Sequence, residues 1–205
     1  RGGSDCGTFY AKEYALVNQK RSVGLVVTTV LPDCQRVAVL QIRGEVNPEK
    51  LPDGIDESFP GGCQVTVHGR IQGHERGHDD RALIRETQEE FGSDVARLVR
   101  DCICTGGLRV LTRRESSSEE VTTYHLELPW QFLPLVRLGP ASGGLRLVTA
   151  EEARTINELY STDKVRGVPT RIYQMSAPFA CLGKLTAMFP DEREAVQKAL
   201  DVFGA

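Results

Sequence analysis

Arg85, Glu86, Glu89 and Glu90 lie in the stretch RETQEEFG, residues 85–92. Carboxylates spaced i, i+3 and i+4 share one side of a helix, and like charges so placed weaken it. Two readings account for such bunching. One is a solvated surface face. The other is a shared positive partner, because three carboxylates within mutual reach offer hard oxygen donors suited to Mg2+ or Mn2+. No lysine is interleaved among them. The chain ahead of them is an irregular stretch that follows a Gly-Gly turn, the kind of backbone that approaches a metal or a phosphate.

A helix has to hold these residues. The pattern predicts one from about Asp80 to Phe91, with Asp79 or Asp80 as its cap and Gly92 as its stop. At about 100° per residue, Ile84, Thr87 and Phe91 fall on one side with Leu83 at the edge, and the glutamates lie roughly 120° away. Upstream, SVGLVVTTVL (22–31) and RVAVLQIRG (36–44) read as strands joined at a Pro32-Asp33 turn. EVNPEKLPDGIDES (45–58) reads as loop and FPGG (59–62) as a turn. CQVTVHGRI (63–71) alternates as a strand does, and QGHERGHDD (72–80) reads as loop, so residues 63–78 form an enlarged segment ahead of the helix. That segment is expected to shape substrate choice.

Downstream, ARLVRDCICTGG and EEVTTYHLELP are strand candidates separated by a polar loop, TRRESSSEE. GGLRLVTAEEARTINELY reads as a strand followed by a helix, with Thr149 and Glu152 spaced as a capping box. DEREAVQKALDVFG (191–204) reads as an amphipathic helix with Ala195, Val196, Ala199, Leu200 and Phe203 inward. Mixed strands and helices without repeats imply one layered α/β domain over 20–205, preceded by an extension, 1–19.

The 205 residues are 40% hydrophobic and 26% charged, an ordinary globular balance. A net charge of −3 gives no reason to expect general nucleic-acid binding or attraction to acidic membranes. No apolar run approaches the roughly 18–20 residues needed to span a bilayer, and RGGSDCGT at the start has no apolar signal region. The six cysteines, Cys6, Cys34, Cys63, Cys102, Cys104 and Cys181, are scattered without a CxxC pair. They are expected as reduced thiols in a cytoplasmic setting, with Cys102 and Cys104 facing one side of a strand.

The segment around Arg85 resembles the Nudix box, G-x5-E-x7-R-E-U-x-E-E-x-G-U with U a bulky aliphatic. Arg85-Glu86-x-x-Glu89-Glu90-x-Gly92 is complete, and FPGG resembles the usual lead-in. Three features depart. Thr87 and Ser93 stand at the U positions, and Gly77 stands eight before Arg85, where the family has a glutamate. Glu75 is the nearest acid, with nine residues between it and Arg85, and Gly69-x5-Glu75 keeps the first spacing. If Gly62 begins the box instead, the loop carries an insertion.

The resemblance implies a Nudix-type α/β/α sandwich with a mixed central sheet. It implies a Mg2+- or Mn2+-dependent hydrolase of a pyrophosphate linkage in a nucleoside diphosphate derivative. It makes Glu86 a ligand or base, Glu89 and Glu90 ligands, and Arg85 the residue that orients a glutamate, with carbonyls of Gly61 or Gly62 completing the shell. Glu75, Arg43 and Tyr124 are candidate substrate contacts, and Trp130 and Phe132 could stack on a base or pack in the core. The family's further late acid has no counterpart in LGPASGG (138–144), which leaves Glu115, Glu119 and Glu120 as candidates. His68, His74 and His78 fit surface or substrate contacts better than zinc. A homodimer stays open. The alternatives are a Nudix-fold protein that binds a nucleotide or a partner with little or no turnover, and an unrelated α/β domain with a solvated helix.

Overall fold

The computed structural model describes residues 20–44, 62–116, 118–139, 142–156 and 188–201. The extension 1–19, the loop 45–58, Gly61, Cys6, Cys181 and Phe203 lie outside the described residues.

Among the described residues seven strands form one sheet: β1 (Lys20–Val30), β2 (Arg36–Arg43), β3 (Cys63–Gln64), β4 (Val67–Arg70), β5 (Arg109–Glu115), β6 (Glu119–Glu127) and β7 (Ser142–Val148). The β-branched run of β1 is buried almost throughout, as a strand covered on both faces must be. β1 runs parallel to β6 and antiparallel to β2 and β4, so the sheet is mixed. Among the described residues four α-helices cover it: α1 (Asp79–Phe91), α2 (Ser93–Cys104), α3 (Ala150–Thr155) and α4 (Pro190–Asp201). Val23, Leu25, Val39 and Val67 pack with Leu83, Phe91, Val95 and Val99 of α1 and α2. Val26, Leu40, Cys63 and Val65 pack with Ala153, Ala195, Val196 and Leu200 of α3 and α4. The expected α/β/α sandwich with a mixed central sheet is therefore the architecture observed.

β1 and β2 pair only from Val27–Val39 to Val30–Arg36. Beyond that they part, and β3 and β4 fill the opening by pairing with β2 and β1 respectively. Thr66 sits at the fork. Its hydroxyl accepts from the Val27 N–H at 2.7 Å and donates to the Val39 carbonyl, so neither buried backbone group is stranded.

Three expectations change here. ARLVRDCIC is not a strand but most of α2, whose inward residues Val95, Ala96 and Val99 follow helical spacing. Cys102 and Cys104 sit in its last turn, the first partly buried and the second exposed. TRRESSSEE is mostly strand, since β5 runs to Glu115 and β6 starts at Glu119. Residues 63–70 form strands, as their alternation suggested, and Gln64, Val65, Thr66 and Val67 are buried, so replacing them by a flexible link would empty part of the core. Cys34, Cys63, Cys102 and Cys104 are free thiols. Among the described residues no helix is long and apolar enough to cross a membrane.

Candidate functional site

α1 presents the carboxylates. Asp79 and Asp80 in its first turn complement the positive end of the helix. Gly92, at φ 89°, lets the chain turn directly into α2. Ala82, Leu83, Thr87 and Phe91 are buried, while Ile84 is only partly so, and the core face is therefore rotated toward Leu83 relative to the sequence expectation. Burying Phe91 contributes about 2–3 kcal/mol to docking the helix. Thr87 is polar where the resembled box has an aliphatic, and its hydroxyl donates to the Leu83 carbonyl at 2.6 Å, which makes its burial tolerable.

Arg85 is the hub. Its Nε donates to Glu75 Oε1 at 2.8 Å and its Nη2 to Glu75 Oε2 at 3.1 Å, a two-point grip. Nη1 reaches Glu86 Oε1 at 2.7 Å and Glu89 Oε2 at 3.3 Å, and Nη2 also donates to the Arg70 carbonyl at 2.7 Å. Glu75 is 3% exposed and accepts the Gln72 N–H as well. The Arg85 bonds, opposed by burial, hold its carboxyl below the usual range. Glu75 was expected as a substrate contact. The structure instead places it beneath Arg85 with both oxygens engaged, in a 3-10 turn (Gly73–Glu75) that spans the extra residues ahead of α1.

Glu86 lies flat against β4. A Cβ on Gly69 would stand 1.8 Å from Glu86 Cδ, so the carboxyl can lie here only because residue 69 has no side chain. Gly62 behaves differently, because its carbonyl accepts the Arg43 N–H at 2.9 Å and extends the sheet. The glycine beside the carboxylates is thus Gly69, and the signal that finds it is the Gly69-x5-Glu75 spacing.

Glu89 is half-exposed. Glu90 is partly buried, and its Oε2 has no hydrogen-bond partner among the described residues. Burial, then the Glu86 charge, pushes its carboxyl well above the ordinary range, while the His68 N–H and Arg43 pull the other way. Among the described residues no three His, Cys, Asp or Glu side chains converge into a metal shell.

The remaining candidates are more scattered. Arg43 ends β2, within electrostatic reach of Glu90 and His68. The Tyr124 hydroxyl donates to Asp79 Oδ2 at 2.6 Å and braces the start of α1. Burial and that bond raise its pKa. Glu119 accepts from Ser22 and Glu120 from Arg21, both on β1, and Glu115 is exposed on β5. Phe132 is core, whereas Trp130 is 38% exposed. His74 and His78 are exposed, and burial with Arg43 keeps the His68 imidazole below its ordinary value. The residue that sequence reasoning missed is Glu192 of α4, which is 8% exposed. An acid in a first helical turn gives no signal of being turned inward.

No family model matches the chain, and no curated protein matches it. It is similar to several solved MutT/Nudix structures. One is a MutT/nudix family protein from Enterococcus faecalis, at 12% identity and a TM-score of 0.42, over 72% of this chain and 56% of that one. A second is a C. elegans Ap4A hydrolase binary complex, at 16% identity and 0.43, over 66% and 84%. A third is the NUDIX domain of Shewanella oneidensis NrtR complexed with ADP ribose, at 14% identity and 0.46, over 76% and 96%. At these scores the likenesses lend this chain neither residue roles nor an activity.

Proposed function

We propose that this chain is a Nudix-type pyrophosphohydrolase, dependent on Mg2+ or Mn2+, acting on a nucleoside diphosphate derivative. Glu86, Glu89 and Glu90 are its cation ligands and Arg85 its positioning residue. The observation that supports this best is Glu90: a carboxylate oxygen shut from solvent, without a partner among the described residues, beside two more carboxylates. Such charge is costly unless something positive meets it. The donors fit a hard cation. Mg2+ is commonly held by one or two carboxylates plus substrate phosphates.

The bound cation would neutralise phosphoryl charge and ease deprotonation of the attacking water. The chain's own residues do the rest. Glu75 fixes Arg85 at two points, and Arg85 fixes Glu86 against Gly69, so the carboxylate is aimed before any ligand arrives. Glu89 faces solvent, where a phosphate-bound cation would enter. Residues 20–205 act as one domain behind the 1–19 extension, in the cytoplasm.

The test is a panel of nucleotide sugars, dinucleoside polyphosphates, ADP-ribose, oxidised nucleotides and coenzyme A with Mg2+ or Mn2+, read by chromatography. Metal-dependent release of a nucleoside monophosphate or phosphate is expected. A second reading, nucleotide binding without turnover, is favoured by Arg85 already holding both Glu86 and Glu89. Metal-dependent nucleotide binding with no product from any member of the panel would establish it in place of the first.

A further inference from the structure

The last carbonyls of a helix have no partner within it and must be met from outside. At the end of α1 the following chain can do little of this, because α2 begins at Ser93 and Gly92 alone separates the two helices. The Gly92 N–H closes the Gln88 carbonyl. The carbonyls of Glu90 and Phe91 are met by a distant segment: the Gly139 N–H donates to Glu90 at 2.8 Å and the Arg137 N–H to Phe91 at 2.9 Å. Leu138, between them, packs against the core.

The fit is close from both sides. A Cβ on Gly139 would stand 2.9 Å from the Glu89 carbonyl oxygen and 3.5 Å from Glu90 Cα, and one on Gly92 would stand 3.1 Å from Arg137 Cβ. The segment is itself anchored. Phe132, Leu133 and Val136 ahead of it are buried, and Arg137 Nη1 donates to the Pro134 and Val136 carbonyls at 3.2 and 3.0 Å. The backbone it grips belongs to Glu89 and Glu90. Glu86, one turn earlier, is aimed by Arg85, whereas the other two carboxyls also depend on where the last turn of α1 lies.

We propose that residues 137–139 are a strap that sets the last turn of α1, with Gly139 a positioning residue for the Glu89–Glu90 pair and so for its affinity for a divalent cation. This rests on the pyrophosphohydrolase reading. Gly139 acts through its N–H and its lack of a side chain, and it touches neither cation nor substrate.

The experiment uses the full chain, with Mg2+ titrated calorimetrically. In Gly139→Ala the new Cβ must part the strap from the helix end by a few tenths of an ångström, and Mg2+ binding is expected to weaken about tenfold. KM for the best substrate at saturating Mg2+ should stay within about twofold of wild type, because the substrate's own contacts are untouched. Gly107→Ala is the matched control. Its Cβ would stand 3.0 Å from the Cys102 carbonyl oxygen, which accepts the Gly107 N–H at 2.9 Å, so it disturbs the end of α2 in the same way where no cation ligand lies. A second measurement needs no variant. If lifting the strap weakens cation binding, bound Mg2+ must oppose the lifting, and saturating Mg2+ should slow amide exchange at Arg137 and Gly139 of the wild type at least about fivefold.

Gly139→Ala that binds Mg2+ as wild type does, or no more weakly than Gly107→Ala, would overturn the proposal while leaving the enzyme reading in place. So would Mg2+ binding that leaves the two amides unchanged, and that result decides alone should Gly139→Ala fail to fold. A wild-type chain with no Mg2+ response would overturn both readings.

Discussion

Replacing Gly69 by alanine tests the site at its tightest contact. The new Cβ would lie 1.8 Å from Cδ, 2.0 Å from Oε1 and 2.3 Å from Cγ of Glu86. Carbon atoms settle at about 3.5–4.0 Å, so the carboxyl must retreat by roughly 1.5 Å or more. The obstructed atoms are the end of a flexible side chain, so the fold should tolerate the move. Glu86 gives up its 2.7 Å bond to Arg85 and adopts another rotamer, at a cost of about 1 kcal/mol, or about 2–4 °C in melting temperature for a chain of this size. Catalysis has no such tolerance, because a misplacement of about 1 Å in a reacting group costs about a hundredfold. Turnover of the best pyrophosphate-linked substrate at saturating Mg2+ should fall by about that factor while the melting curve stays cooperative. Gly73→Ala is the control, since a Cβ there meets nothing within 4 Å. Gly69→Ala with wild-type turnover, or with no greater loss than Gly73→Ala, would refute the placement of Glu86 in the chemistry.

Three further outcomes follow from the same geometry. Glu90→Gln removes a charge that burial disfavours, so it should raise the melting temperature without metal and abolish most of the Mg2+-induced rise; a rise as large as wild type removes Glu90 from the ligand set. Glu75→Gln should cost about 1–3 kcal/mol at pH 7, read by denaturant unfolding, because Arg85 keeps its charge and loses its two-point partner. Glu75's folded-state pKa is depressed, so its contribution is present above the unfolded value of about 4.3 and lost as pH falls through the lower folded value, and the two proteins should converge in acid. His125, bonded to Thr28 at 2.8 Å, is held down to about 4 chiefly by burial. Protonation then favours the unfolded chain, so wild type should lose on the order of 3 kcal/mol relative to His125→Gln as pH falls from about 6.5 to about 4, and parallel pH curves would contradict that.

What the sequence made legible is what local chemistry dictates. β1 and β2 announce themselves by unbroken β-branched runs, α1 by its spacing and its terminal Gly92, and α3 by Thr149 and Glu152, which form both bonds of the capping box. α2 was obscured because Val95, Val99 and Ile103 are β-branched, and the helix starts directly after the glycine that ends α1, with no loop to mark it. The bunched glutamates were visible, but their environments were not. That Glu75 serves Arg85 across a turn two residues longer than the resembled spacing depends on how that turn folds back. That Glu90 and Glu192 are turned inward from opposite layers depends on which helices the sheet brings together, and nothing within either helix encodes it.

The short ladder between β1 and β4 acts as a checkpoint on assembly. It fixes Gly69 opposite Val23 through only four residue pairs. A slip of one position would aim the side chain of His68 or Arg70 at the surface where Glu86 must lie, since alternate residues exchange faces. α1 would then be unable to seat, leaving Leu83 and Phe91 in water. A mispaired fork would put a side chain where Glu86 must lie, so the close contact that aims the carboxylate also disfavours the wrong register.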